Sequence, residues 1–91
     1  MQKVVINKCH GGFGLSHKGE DLFKQLTGED FNSFHVYRDD EALVQVVEQL
    51  GEKANDNYSD LKIVEIPDDV EWTIQEYDGM EWVAEKHRIW K

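Results

Sequence analysis

The chain has 91 residues, 19 acidic side chains against 10 basic ones and a formal charge of −9. That length supports one compact domain over 1–91, and the charge works against phosphodiester backbones and anionic lipid, so nonspecific nucleic-acid binding and membrane association are excluded as default partners. A single cysteine cannot form an internal bridge, and no apolar stretch is long enough for a signal peptide or a membrane span, which suits a reducing, cytoplasmic setting.

Taken in chain order, residues 3–9 are short and rich in Val and Ile, which predicts a buried first strand. Three glycines follow, and then Ser16, whose hydroxyl can cap a helix from His17 to Thr27 with Leu22, Phe23 and Leu26 facing inward and Gly28 as a left-handed stop. Phe34-His35-Val36-Tyr37 reads as a second strand, closed by Asp39 and Asp40, either of which can cap the next helix. In that helix Leu43, Val46, Val47, Leu50 and Ala54 form one stripe, so it is expected to run through Gly51.

Asn55-Asp56-Asn57 reads as a loop, and Leu61–Ile66 as a third strand ended by Pro67. Val70, Trp72 and Ile74 then alternate with Glu71, Thr73 and Gln75, and Asp78-Gly79 is a two-residue hairpin signal. Met80–Trp90 fits a returning strand, although Met80, Val83, Ala84 and His87 also fit a helical face. A two-residue turn pairs Ile74 with Val83, whereas a one-residue bulge pairs Ile74 with Ala84.

The expected fold is therefore α+β: a mixed β-sheet in the order β-α-β-α-β-β-β, with two helices packed on it and a C-terminal β-hairpin. If both crossovers share one face of the sheet, Trp72, Trp82 or Trp90 can line a self-association surface, so a homo-oligomer is one expectation.

Val5-Ile6-Asn7-Lys8-Cys9, Gly11-Gly12-Phe13, Leu15-Ser16, Ile66-Pro67-Asp68-Asp69-Val70-Glu71-Trp72, Glu76-Tyr77-Asp78-Gly79 and Glu85-Lys86-His87-Arg88-Ile89-Trp90 together look familiar. On these motifs, and more loosely on Val46–Gly51, the chain resembles a group of small uncharacterised proteins encoded by tailed bacteriophages and prophages. The resemblance implies an origin rather than an activity. By analogy it adds weight to an accessory factor that binds and disables a host protein or signal, as in counter-defence or host takeover.

Two surfaces are candidate sites. In the loop His10, Gly11, Gly12, Phe13, Gly14, Ser16 and His17, bare backbone N–H groups and a helix start can cradle a small anionic or nucleotide-like ligand, or the glycines can simply reverse the chain. The loop lacks Gly-Lys-Ser/Thr and the third glycine of a dinucleotide fingerprint. The second surface is an acidic hairpin, Asp68, Asp69, Glu71, Trp72 and Glu76, read either as a solvated face or as a docking site for a host protein.

Cys9, at a strand end near a helix N-terminus, is the candidate nucleophile for an enzymatic alternative, together with a histidine in an oligomeric cleft. Cys9, His10, His17, His35 and His87 show no metal-ligand spacing, and neither a metal nor a cofactor is expected. The favoured expectation is a noncatalytic binding protein; a small enzyme and a virion component are the alternatives.

Overall fold

Val4, Val5 and Ile6 are consecutive and β-branched, and they form the centre of strand β1 (Gln2–Asn7), where all three are buried. The computed structural model describes residues 1–85. Val5 packs with Leu15, Phe23, Leu43, Val44, Val46, Val47 and Ala54 in the main apolar cluster. Alternation along the strand points Val4 and Ile6 to the opposite side, and they are buried as well.

Helix α1 spans His17–Thr27, as its punctuation predicts. The Ser16 hydroxyl accepts from the Gly19 N–H at 3.1 Å, and Gly28 closes the helix at φ 77° by donating its N–H to the Lys24 carbonyl. Phe23 is buried, but Leu26, expected to face inward, is 42% exposed. The ring of Phe31 instead folds back edge-on against Phe23, with centroids 5.3 Å apart, and supplies the apolar contact at this end.

Helix α2 spans Glu41–Leu50, and the Asp40 carboxylate caps it by accepting from the N–H groups of Ala42 and Leu43 at 2.8 and 3.1 Å. Leu43, Val44, Val46 and Val47 are its buried stripe, each side chain contributing on the order of 2 kcal/mol of burial. The α-helix does not continue through Gly51, as the stripe had suggested. Gly51 adopts φ 56°, ψ −128°, a left-sided conformation that an L side chain resists, and the chain tightens into a 3-10 turn over Gly51–Ala54. Ala54 still reaches the core with no exposed surface.

Strands β2 (Leu61–Ile66), β3 (Trp72–Tyr77) and β4 (Met80–Glu85) follow. β2 stops before Pro67, and β3 and β4 are joined by Asp78 and Gly79 at φ 53° and 90°, the doubly positive geometry of a type I′ turn. The two-residue register holds: Ile74 faces Val83 and Trp72 faces Glu85. The remainder of the expected final strand, with Trp90 and His87, lies outside the described residues.

The α+β class stands, with two helices and the hairpin, but its strands form two antiparallel two-stranded sheets, β1-β2 and β3-β4, in place of one mixed sheet. The expected second strand is absent because Asn32 captures it. Its side-chain oxygen accepts from the Phe34 N–H at 2.9 Å, and its carbonyl accepts from the N–H groups of His35 and Val36, which coils the segment into turns. With no strand between the helices there are no parallel crossovers, and the chain enters β2 at the end where it left β1, Leu61 opposite Asn7.

The outer edge of β1 explains why the hairpin does not simply extend the first sheet. Two of its donors are already used: the Val5 N–H goes to the Arg38 carbonyl at 2.8 Å and the Asn7 N–H to the Glu81 carboxylate at 2.8 Å. β4 thus lies beside β1 with a side chain, rather than a backbone ladder, between them.

Candidate functional site

The turn after β1, the β3-β4 turn and the loop between the 3-10 turn and β2 converge on one buried side chain, Asn7. Its amide donates to the carbonyls of Cys9 and Gly79 at 2.7 and 3.0 Å, and its oxygen accepts from the N–H groups of Cys9 and Asp60 at 3.3 and 2.8 Å. Every polar position of a fully buried amide is therefore used, and three loops are fixed to one another.

Beside it lies an ion pair joining the segment before α2 to β4. Arg38 donates to both carboxylate oxygens of Glu81, at 2.6 and 2.8 Å, with the two side chains only 19% and 10% exposed. The guanidinium also sits 3.6 Å above the centre of the Phe13 ring. Neither Arg38, Glu81 nor Asn7 was singled out from the sequence, because a separation of 43 residues carries no spacing signal. The one readable hint was a polar Asn closing an apolar run.

The glycine loop is held at close range by these partners. A side chain at Gly11 would collide with the Tyr58 carbonyl, one at Gly14 would come within 2.5 Å of the Asp56 carboxylate, and one at Gly79 within 2.5 Å of the His10 carbonyl. Gly12 has open space and needs glycine only for its φ of 109°. His10 Nδ1 lies 3.1 Å from the Asp78 carbonyl, the Gly14 carbonyl accepts from Ser59, and the Ser16 hydroxyl donates to Lys53. His17 is fully exposed, 3.7 Å from Glu20.

Phe34, 92% exposed, forms the rim of two hollows at this end of the molecule. One, of about 350 Å³, runs between Gly12, Phe13, Arg38, Glu76, Gly79 and Glu81. The other, of about 400 Å³, is lined by Phe13, Phe31, Glu20 and Asp56 among others. The first hollow brings together residues of both sequence-predicted surfaces, Gly12 and Phe13 from the loop and Glu76 from the hairpin.

The remaining hairpin residues lie elsewhere. Asp68 pairs with the chain-terminal amine at 3.1 Å, and the Trp72 indole donates to Gln2, whose amide in turn clasps the carbonyls of Pro67 and Val70. Asp69 and Glu71 are exposed, and Glu76 accepts the Gly79 N–H within the turn. Cys9 is half-buried and its thiol makes no hydrogen bond among the described residues. Among those residues, no three of His, Cys, Asp and Glu group as a metal site would need, and no helix is long and apolar enough to cross a membrane. No family model, curated protein or solved structure matches the chain.

Proposed function

We propose that the chain is a noncatalytic accessory protein of phage type that docks a basic protein of the bacterial cytoplasm through its glycine-loop end. The observation that carries this reading is that three large aromatic residues at or next to the segments packed on that loop are exposed: Phe34 at 92%, Tyr58 at 67% and Tyr77 at 73%. Tyr58 backs Gly11, Tyr77 precedes the turn packed on His10, and Phe34 shares a hollow with Gly12 and Gly79. None of the three belongs to the apolar cluster, so their exposure has no folding rationale, whereas such side chains are the usual anchors of protein interfaces.

Charge selects the partner. Among the described residues the two hollows carry four carboxylates, Glu20, Asp56, Glu76 and Glu81, against one guanidinium, that of Arg38, in a chain of formal charge −9. The base beneath the aromatics is fixed by Asn7 and by the Arg38–Glu81 pair, so the face is preorganised and little ordering entropy is lost on docking.

The test is retention from a bacterial lysate on the immobilised full chain, compared with a Phe34→Ser/Tyr58→Ser/Tyr77→Ser variant whose substitutions all fall at exposed positions. A basic protein held by the parent is expected to be released by molar salt, where the Debye length is about 3 Å, and to be lost from the variant. Equal retention by both proteins rejects the reading.

A further inference from the structure

We infer that the hollow beneath Phe34 seats the guanidinium of a partner's arginine; this rests on the docking reading above and names the group that the docked protein presents. The hollow has a volume of about 400 Å³, ample for one side chain, and is walled by the rings of Phe13, Phe31 and Phe34. Among the described residues its charged lining consists of two carboxylates, Glu20 and Asp56; the Arg38 guanidinium, which lies over the Phe13 ring from the neighbouring hollow, is already paired with Glu81.

Both carboxylates are available for a cation, in different ways. Asp56 is held in place, one oxygen accepting the Tyr58 N–H at 2.7 Å and the other facing the bare Gly14 backbone. Glu20 projects from the first turn of α1 with its side chain 46% exposed, and its nearest partner is the solvent-exposed His17 imidazole at 3.7 Å. At the rim the Phe34 backbone is fixed, its N–H donating to the Asn32 side chain, and its ring stands exposed.

Rings beside carboxylates match a flat cation, which stacks on a π face and donates from its edge. An ammonium offers no planar edge, and an anion meets two negative groups.

The full chain is titrated with N-acetyl-arginine amide, with the neutral isostere N-acetyl-citrulline amide and with N-acetyl-lysine amide, following backbone amide NMR signals. The arginine probe is expected to shift Gly14, Asn32 and Ser33 saturably. Glu20→Gln and Phe34→Ser, both at exposed positions, should each weaken it several-fold, and the citrulline probe should leave these signals in place. Equal shifts with citrulline, equal affinity for the lysine probe, or binding unchanged in both variants overturns the assignment.

The lysate experiment separates the two claims. A basic partner lost from the triple aromatic variant but retained by Glu20→Gln overturns the arginine seat and leaves the docking reading standing. Titration of the hollow by arginine with no partner retained does the reverse.

Discussion

Replacing Glu81 by alanine tests whether the buried ion pair holds this end of the protein together. The substitution removes three hydrogen bonds at once: two from Arg38, at 2.6 and 2.8 Å, and one from the Asn7 N–H at 2.8 Å. It leaves a guanidinium that is only 19% exposed without its counter-charge and a buried N–H without an acceptor. Breaking one partner of a fully buried pair costs about 3–5 kcal/mol, and orphaning an N–H about 1–3 kcal/mol. The two overlap, and water reaches part of Arg38, so a loss of about 3 kcal/mol is expected. With a urea slope of about 1–1.5 kcal/mol/M for a chain this size, the unfolding midpoint should fall by about 2–3 M.

Two companion variants make the argument specific. Glu81→Gln keeps an acceptor for Asn7 but loses the charge, and should cost about half as much. Arg38→Met/Glu81→Leu removes both charges together and should recover the part of the loss that comes from the unpaired guanidinium, because neither ion is then left buried alone, while the Asn7 N–H still lacks its acceptor. A Glu81→Ala midpoint lowered by less than about 0.5 M, or a double variant no more stable than the single one, refutes the reasoning.

Asn7→Ala should cost about 3 kcal/mol, because it orphans the N–H groups of Cys9 and Asp60, and it should speed amide exchange at these two positions ahead of β1. Gly11→Ala should destabilise more than Gly12→Ala although only Gly12 has a positive φ; backbone collision with Tyr58 outweighs a torsional cost of about 1 kcal/mol, as equilibrium unfolding would show. Lys3, hydrogen-bonded to Glu48 at 2.6 Å, has its pKa raised above 10.5, first by that bond and then by the carboxylate's charge. The stability it contributes is complete below the ordinary lysine value and lost as pH rises through the raised one, so Lys3→Met should differ from the parent at neutral pH and converge with it at strongly alkaline pH.

What the sequence made legible was local. Ser16 and Gly28 bounded α1, Pro67 ended β2, and Asp78-Gly79 marked the turn, because each acts through neighbouring backbone, whereas the choice between the two hairpin registers came only with the fold. The departures came at two positions that redirect the backbone. Asn32 outcompeted the strand tendency of Phe34–Tyr37, and Gly51 broke an otherwise continuous helical stripe. The sheet arrangement was decided by Arg38 and Glu81 occupying the free edge of β1, a long-range event without local pattern. The same holds for the site: Gly12, Phe13 and Glu76 were flagged, but the exposure of Phe34 and the placement of Asp56 beside Gly14 emerged only from the fold.

The central claim is that the glycine-loop end reads positive charge. Its most direct measurement is a pair of titrations of the full chain, one with inorganic phosphate and one with N-acetyl-arginine amide, followed at the amides of Gly11, Gly12, Gly14 and Ser33. The account predicts saturable arginine-dependent shifts at Gly14 and Ser33 and no phosphate-dependent shift at the glycines. Glycine signals that follow phosphate while the arginine probe leaves Gly14 and Ser33 unmoved would contradict it.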